Sequence, residues 1–283
     1  MKTSPTRCGN VAAISRGNAD FALSEKMLLD FTRIAMATRW TLRIDADPSR
    51  ADEAGQAANE AFSVMQSLER RLSRFVASSD VSLINALPQG QRAWVQAETF
   101  ECLQLSFSLA EETKNAFDAS AGTLVDFYKK NGNVRCDEMP AWREAYENYR
   151  YGKFALHPAE QEVECVAVGK KIDLGGIGKG FALDKMAEVL REWSFPRALL
   201  IAGGSTILAL DAPAGRAHWR IGTEAGEEAL ANGAIASSGT QFQAVHLVDP
   251  RTGLLAVPAK TFRARSASAA RADALATAAA VIG

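Results

Sequence analysis

The chain has 283 residues, a formal net charge of −1 at pH 7, and 47% hydrophobic residues, which is typical of a globular protein with one or two domains. A nearly neutral charge gives no electrostatic reason to bind nucleic acid, and four widely spaced cysteines with three histidines argue against a zinc cluster. We find neither a signal-peptide-like run nor a long apolar stretch, so we expect a cytoplasmic protein without a transmembrane segment.

The N-terminal part of the chain divides into an arm and the start of a domain. We interpret residues 1–35, which are mostly polar and unpatterned, as a mobile arm, and residues 36–283 as one domain with room for two lobes. Alternation from Met36 to Asp45 predicts a half-buried strand. Helical spacing of apolar residues then predicts a helix over 51–75 and another around Phe100–Ala110. Ser79 or Asp80 is expected to cap a short helix between them.

The remaining elements alternate irregularly between helices and strands. FDASAGTLVDFYKK (117–130) predicts a loop that runs into a helix, and residues 131–150 predict a surface excursion with one helix. Further helices are predicted at 177–193 and 270–282. Strands are predicted at 153–157, 162–173, 197–202, 206–210, 217–223, 244–248 and 260–266. Because regular βαβ alternation is missing, the pattern favours an α+β fold with a mixed or antiparallel sheet and packed helices.

The segment KKIDLGGIGKGFALDK (170–185) places four glycines within six positions, between a predicted strand and a predicted helix. Glycine allows a ligand to touch the backbone, and a helix start attracts anions, so a phosphate near Gly178 is one interpretation. Neither the P-loop pattern nor G-x-G-x-x-G fits the segment. A tight strand-to-helix turn with close packing is the structural alternative, and it stays open.

Two C-terminal segments carry further candidate residues. In ADALATAAAVIG (272–283), Asp273 and Thr277 share one helix face, and their hard oxygens suit Mg²⁺. The alternative is a solvated carboxylate and a threonine bonded back to its own helix. AVHLVDPRTG (244–253) predicts a strand and a turn, where His246 is a candidate base or phosphate donor. A structural role for this histidine is its alternative.

Together these segments resemble the ApbE family of FAD:protein FMN transferases. The matches are collinear from residue 36 to 283: MATRWTL, LSRFVASSDVSLIN, FDASAGTLVDFY, DLGGIGKGFALDK, LLIAGGSTILAL, IASSGT, HLVDPRTG and ADALATAAAVIG. Each motif alone is weak, whereas eight in order are specific. Met-Ala-Thr stands where the family usually has Met-Gly-Thr, so Ala37 is expected to narrow the space near the ligand. The chain ends at Gly283, where such relatives generally continue for some tens of residues, so we expect a shortened C-terminal tail.

The resemblance implies a T-fold-like α+β enzyme, formed by a single ApbE-like domain over 36–283. It implies Mg²⁺-dependent transfer of FMN from FAD to a Thr or Ser hydroxyl of an acceptor protein, with release of AMP. The metal would be held by Asp273, Thr277 and the backbone carbonyl of Gly176. The implied flavin contacts are Met36, Phe75, Ala116, Phe117, Asp118, Asp173, Lys179 and Val248. A homodimer is also expected.

The chemistry of the residues agrees with this resemblance. Cleavage of a diphosphate concentrates negative charge, which Mg²⁺, Lys179 and the helix start at Gly178 are expected to stabilise. The predicted catalytic residues are Asp273, Lys179 and His246, the last as the base that accepts the hydroxyl proton. Phe75 is expected to stack on a ring of FAD, and its alternative is an ordinary core position.

Three other functions stay open at this stage. A Mg²⁺-dependent FAD pyrophosphatase would use the same residues with water as the acceptor. A flavin-binding protein without turnover would be expected to lose the metal ligands, yet Asp273 and Thr277 are present. In an α+β binding module the glycine segment would be only structural, and eight ordered motifs argue against that interpretation.

Overall fold

The computed structural model describes residues 27–132, 139–223, 226–239 and 247–283. Most of the predicted N-terminal arm, most of the strand predicted at 244–248, and His246 therefore lie outside the described residues. Within them, the helices are α1 (Ala51–Leu72), α2 (Asp80–Asn85), α3 (Ala97–Glu112), α4 (Gly122–Asn131), α5 (Pro140–Tyr151), α6 (Gly178–Glu192) and α7 (Ala269–Ile282). The strands are β1 (Met27–Ala35), β2 (Thr38–Ala46), β3 (Arg92–Trp94), β4 (Lys153–His157), β5 (Glu162–Ala167), β6 (Ala198–Ala202), β7 (Thr206–Ala209), β8 (Trp219–Thr223), β9 (Gly226–Leu230), β10 (Gly233–Ser238), β11 (Val248–Asp249), β12 (Leu254–Leu255) and β13 (Phe262–Ser266).

The centre of the fold is a six-stranded antiparallel sheet in the order β1-β2-β6-β7-β10-β13. Alternate side chains of β2, at Trp40, Leu42 and Ile44, are fully buried, as the period of the sequence predicts. They share one apolar core with Met65 and Leu68 of α1 and with buried residues of α6 and α7. The predicted α+β class is confirmed, with helices packed on an antiparallel sheet.

Smaller units complete the fold. A three-stranded sheet has the order β3-β5-β4, while β8 pairs with β9 and β11 pairs with β12. A second apolar cluster joins α4, α5 and β11 through residues that include Leu124, Tyr128, Tyr149 and Val248. No helix in the described ranges has both the length and the apolar character that crossing a bilayer requires.

The N-terminal boundary of the domain differs from the prediction. Residues Met27–Ala35 are not part of an arm, because β1 pairs along its whole length with β2. Its burial alternates between half-buried and exposed positions, so no residue before Ala35 is fully buried. The alternation of apolar and polar residues is faint in this segment, because an edge strand with no fully buried residue before Ala35 needs few apolar side chains. The small-residue strand β10 was also not predicted as a strand, although it lies inside the sheet.

The turn between β1 and β2 explains the Met-Ala-Thr motif. Met36 and Ala37 have φ angles of 47° and 56°, the left-handed region that two-residue hairpin turns require and that favours glycine. Ala37 is exposed, so its methyl group takes up no space in the protein core, and the predicted narrowing near the ligand stays a prediction. The left-handed backbone conformation of Ala37 is less favourable for alanine than for glycine by about 1 kcal/mol.

Candidate active site

The glycine-rich segment brings the start of α6 against the start of α7. A Cβ atom on Gly180 would lie 2.2 Å from the carbonyl oxygen of Ala269 and 2.6 Å from the amide nitrogen of Ala270. Any side chain at Gly180 would therefore push the two helices apart. The backbone that approaches this glycine belongs to α7, so close packing explains Gly180 without a ligand.

Asp273 lies on α7 at this helix contact and is almost completely buried. Its Oδ2 accepts a hydrogen bond from the amide of Gly180 at 3.2 Å, and its Oδ1 accepts one from Thr206 Oγ1 at 3.1 Å. The ammonium nitrogen of Lys179 lies 3.7 Å from Oδ2. Burial raises the pKa of Asp273, and the opposing effects of Lys179 and the hydrogen bonds do not fully offset it. Thr206, in the matched segment LLIAGGSTILAL, was not predicted as a site residue.

The other two predicted metal ligands lie beside Asp273. Thr277 is one turn further along α7 and lies close to Gly176. A Cβ atom added to Gly176 would be 3.2 Å from Thr277 Oγ1 and 3.3 Å from the ring of Phe117. The hydroxyl donates to the carbonyl oxygen of Asp273 at 3.0 Å, so the predicted bond to its own helix is present. Its lone pairs stay able to coordinate a cation. Gly176 thus lies against Thr277, and Asp273 lies one turn away from Thr277 on α7, although Gly176 and the helix are about 100 residues apart in the chain.

The carboxylate of Asp273, the hydroxyl of Thr277 and the carbonyl of Gly176 suit a hard divalent cation that retains most of its water ligands. Mg²⁺ is usually held by one or two carboxylates together with waters and substrate phosphates. In the described part of the chain, no group of three or more His, Cys, Asp or Glu side chains is placed to hold a metal. One carboxylate, one hydroxyl and one neighbouring carbonyl therefore fit a Mg²⁺ ion shared with a diphosphate better than a closed protein cage.

Two amides at the start of α6 already have acceptors within the protein. The Gly178 amide donates to the carbonyl of Leu174 at 2.7 Å, and the Gly180 amide donates to Asp273. These two amides are therefore already bonded within the protein, and the predicted role of the helix start at Gly178 in stabilising phosphate charge stays a prediction. The side chain of Lys179, which is 25% exposed, stays a candidate for contact with a phosphate.

A second buried carboxylate, Asp118, lies in the loop before α4. Its Oδ1 accepts from the amide and the hydroxyl of Ser120, at 2.7 and 2.6 Å. Its Oδ2 accepts from the Tyr149 hydroxyl at 2.6 Å and from Lys170 Nζ at 3.1 Å. Against the effect of burial, Lys170 and these hydrogen bonds hold the pKa of Asp118 below its usual value. We call Asp118, Ser120, Tyr149 and Lys170 the Asp118 cluster.

Asp173 forms an ion pair with Arg74, which is not among the predicted site residues. Its Oδ2 accepts from Arg74 Nη1 at 2.7 Å, and its Oδ1 accepts from the amide of Gly175 at 2.9 Å. Arg74 also pairs with Asp126 and is only 9% exposed. The predicted flavin contact Asp173 therefore fixes the start of the glycine-rich segment, and neither of its oxygens lacks a protein donor.

Phe75, the residue after Arg74, has an unusual environment for phenylalanine. It is 76% exposed, which excludes its alternative assignment to the core. Lys129 Nζ lies 5.0 Å from the ring centroid, and the Arg74 guanidinium lies 5.5 Å from it. An exposed ring near two cations suits a stacked aromatic ligand that carries negative charge.

The remaining predicted flavin contacts lie around these groups. Ala116 and Phe117 are buried beside Asp118, and Val248 is buried in the cluster that contains Tyr149. Met36 lies in the β1–β2 turn, at the sheet end where Thr206 also begins its strand. Next to the Asp118 cluster is a cleft of about 310 Å³, lined by Asn115, Tyr146, Tyr149, Arg150, Lys170, Pro250 and Arg251.

Comparison with known proteins identifies the class to which this fold and site belong. A sequence model of the ApbE family matches residues 36–283, so the chain belongs to the ApbE family, as the eight motifs predict. The FAD:protein FMN transferase of Treponema pallidum (strain Nichols) is 27% identical over 271 residues, which cover 82% of this chain and 73% of that protein. The protein of the same name from Buchnera aphidicola is 21% identical over 257 residues, covering 81% and 72%.

Solved structures agree with this assignment. The ApbE protein of Thermotoga maritima superposes with a TM-score of 0.76 at 25% identity, covering 90% of this chain and 87% of that one. The flavinyl transferase ApbE of Pseudomonas stutzeri superposes with a TM-score of 0.77 at 22% identity, covering 93% and 88%, and shows the shared fold. The α+β architecture predicted from the motifs is that of ApbE proteins.

Proposed function

We propose that the protein is an FAD:protein FMN transferase, which uses Mg²⁺ to move FMN from FAD to a Thr or Ser hydroxyl of an acceptor protein. The observation that carries this proposal is the convergence of Asp273, Lys179, Thr277 and Gly176 where α6 meets α7. The name of the curated relatives supports the choice of FAD as substrate. The acceptor protein is defined only by its hydroxyl group.

Asp273, Thr277 and the carbonyl of Gly176 would hold the cation. When bound, Mg²⁺ would neutralise negative charge on the diphosphate oxygens. The raised pKa of Asp273 supports this role, because a carboxylate that is costly to ionise in isolation gains from a neighbouring cation. Lys179 supplies a second positive charge, and its partial exposure leaves it able to contact a phosphate while it stays near Asp273.

The rest of FAD would lie along the loop before α4. Phe75 would stack on an aromatic ring of the substrate, and Ala116, Phe117, Asp118 and Val248 would line its path. Asp173 and Met36 complete the proposed contacts, the former through its fixed position at the start of the glycine-rich segment. The cleft beside the Asp118 cluster carries Arg150, Lys170 and Arg251, and it has the volume and charge to accept one end of the dinucleotide.

In the proposed reaction, the acceptor hydroxyl oxygen bonds to the phosphorus of the FMN half. The phosphorus–oxygen bond to the AMP half breaks, and AMP leaves with the bridging oxygen. Lys179 would stabilise the charge that develops on the leaving phosphate. His246 would take the hydroxyl proton, and a pH–rate profile of His246→Ala that equals that of the unsubstituted protein would remove this assignment.

One assay tests the function. The protein is incubated with FAD, Mg²⁺ and a candidate acceptor domain, then AMP is measured and flavin fluorescence is recorded from the denatured acceptor. AMP with a labelled acceptor supports the transferase, whereas AMP with free FMN indicates the pyrophosphatase alternative. Neither product, with FAD still bound, indicates a binding protein.

The Asp273→Ala variant tests the metal assignment in the same assay. We expect AMP release to fall by at least about 100-fold, because the only carboxylate of the proposed metal site is lost. The control is Asp52→Ala, which removes an exposed carboxylate from the first turn of α1. AMP release by Asp273→Ala that matches the control would contradict the proposed metal site.

A further inference from the structure

One side chain of α6, Asp184, bonds to the first turn of the helix that carries the proposed metal ligands. Asp184 follows Gly180 by one helical turn and therefore lies on the same face of α6. Its Oδ1 accepts from the amide of Ala269 at 2.8 Å, and its Oδ2 accepts from the amide of Ala270 at 2.9 Å and from Ser268 Oγ at 2.7 Å. We call Gly180, Asp184 and residues 268–270 the α6–α7 joint.

The joint does more than cap a helix. The first amides of a helix lack partners within the helix, and a single side chain at the N-cap position usually satisfies one of them. Ser268 already does this in α7, because its hydroxyl accepts from the amide of Arg271 at 3.2 Å. Asp184 adds two further amide bonds from a different helix, so it fixes where α7 begins relative to α6.

This fixed point is directly connected to the proposed metal ligands. Ala269, Asp273 and Thr277 follow one another at intervals of one turn along α7. On the α6 side, Gly180 lies opposite Ala269 and also donates to Asp273. A shift of α7 along or around its axis would therefore move Asp273 and Thr277 away from Gly176 and Lys179.

We infer that Asp184 is a positioning residue for the divalent-cation site, holding the first turn of α7 so that Asp273 and Thr277 face Gly176. The inference rests on the proposed function, since it concerns the metal that this function requires. Burial raises the pKa of Asp184 although three donors act to lower it, so the fold keeps a carboxylate here at some cost in stability.

The chain contains a matched control. Asp80 of α2 caps α3 from outside that helix in the same manner, accepting from the amide of Gln96 at 3.1 Å and from Thr99 Oγ1 at 2.6 Å. None of the predicted site residues lies on α3. Asp184→Asn and Asp80→Asn therefore each replace a carboxylate that accepts hydrogen bonds from the start of a neighbouring helix. Only Asp184→Asn affects the helix that carries the proposed metal ligands.

The test measures binding of Mn²⁺, used as a probe for the divalent cation, by the electron paramagnetic resonance signal of the free ion. We expect the Kd of Asp184→Asn for Mn²⁺ to rise about tenfold, as for other groups that orient metal ligands, while the Kd of Asp80→Asn equals that of the unsubstituted protein. In the FAD-cleavage assay, the Mg²⁺ concentration for half-maximal rate should rise similarly, and the KM for FAD at saturating Mg²⁺ should stay unchanged.

Equal Mn²⁺ affinity of Asp184→Asn and Asp80→Asn, with both variants folded, would overturn the inference and leave the proposed function intact. If the unsubstituted protein binds no Mn²⁺ either alone or in the presence of FAD, the proposed metal site and this inference both fail. If Asp184→Asn does not fold, Ser268→Ala replaces it, because this change removes one donor to Asp184 together with the Ser268 cap on the Arg271 amide and keeps the two amide bonds of Asp184. We then expect a smaller rise in Kd of about threefold, and an unchanged Kd would contradict the inference.

Discussion

The two buried carboxylates of the candidate site, Asp118 and Asp273, differ in how their charge is satisfied. Their side chains are similarly inaccessible, with 4% and 6% exposure. Asp118 accepts four hydrogen bonds, one of them from Lys170 at 3.1 Å, and its pKa is lowered. Asp273 accepts two hydrogen bonds from neutral groups, its cation Lys179 lies farther away at 3.7 Å, and its pKa is raised.

The comparison separates a carboxylate whose charge is fully satisfied by protein groups from one whose charge is not. Asp118 is stable as an ion within the protein, so its cluster holds together the loop before α4, α5 and the start of the glycine-rich segment. Asp273 is ionised at a cost that its protein partners do not remove. Such a group is a candidate for function, because a bound cation supplies the missing stabilisation.

The largest expected effect on stability comes from separating the helices that create the Asp273 environment. In Gly180→Ala, the new methyl group would meet the backbone of Ala269 and Ala270, which cannot rotate away as a side chain can. We expect the free energy of unfolding in urea to fall by about 3 kcal/mol. Burial of Asp273 should be lost as well, while the Asp118 cluster keeps its contacts.

Gly178→Ala is the control in the same segment. A Cβ atom there would meet only the Cβ of Leu174, at 3.9 Å, and alanine is the better helix former. We expect this variant to be as stable as the unsubstituted protein or more stable by about 0.5 kcal/mol. If both variants lost the same free energy of unfolding, glycine would be required by the local conformation at the start of α6 and not by the contact of Gly180 with α7.

The next effect concerns the other carboxylate. Asp118→Asn removes the charge that pairs with Lys170 and puts an amide group among donors, so we expect the free energy of unfolding at pH 7 to fall by about 2 kcal/mol. Because the pKa of Asp118 is lower in the folded than in the unfolded protein, its ionised form stabilises the fold at pH values above the unfolded pKa, near 3.9. This stabilisation is lost as the pH falls through the folded pKa. The difference between variant and unsubstituted protein, measured in urea, should therefore shrink below about pH 4.

A difference that persists unchanged at low pH would mean that packing, not charge, holds the Asp118 cluster. Ser120→Ala is the matched control, because it removes only the 2.6 Å hydroxyl bond to the same carboxylate and leaves the ion pair with Lys170 in place. We expect it to cost about 1 kcal/mol, less than the loss of the charge.

The Asp273 environment was more predictable from sequence than the Asp118 cluster. Asp273 and Thr277 are four residues apart on a helix, and the glycine density of the α6 segment is visible in a single window. The partners of Asp118 come from two other parts of the chain, so no local spacing connects Tyr149 and Lys170 with it. Only the folded chain brings them together.

The same reasoning explains the other differences. Arg74 is not predictable as a site residue from local sequence, because its partners Asp126 and Asp173 are 52 and 99 residues away along the chain. Most helices and sheet strands were predicted because each has a buried stripe or face with the right period. The sequence pattern does not distinguish β1 from an arm, because this strand lies at the sheet edge, where few side chains are buried and the alternation of apolar residues is faint.

The smallest expected effect, that of Asp273→Asn on stability, is also the sharpest test of the comparison. Neutralising Asp273 should stabilise the fold, whereas neutralising Asp118 should destabilise it. A carboxyl group whose folded pKa lies above the unfolded value destabilises the fold progressively as the pH rises through that range. In metal-free protein at pH 7, Asp273→Asn should therefore raise the unfolding temperature by about 2 °C, corresponding to roughly 1 kcal/mol. The gain should shrink as the pH falls towards the usual carboxyl pKa, because protonation of Asp273 removes the buried charge.

Mg²⁺ should reverse the order of the two proteins. Added at millimolar concentration, it should raise the unfolding temperature of the unsubstituted protein by mass action and leave Asp273→Asn unaffected, because the amide cannot replace the anionic ligand. A lower unfolding temperature of Asp273→Asn in chelator would mean that Lys179, Gly180 and Thr206 already stabilise the carboxylate fully. Asp273 would then be a structural ion like Asp118, and the contrast between the two carboxylates would no longer indicate where the cation binds.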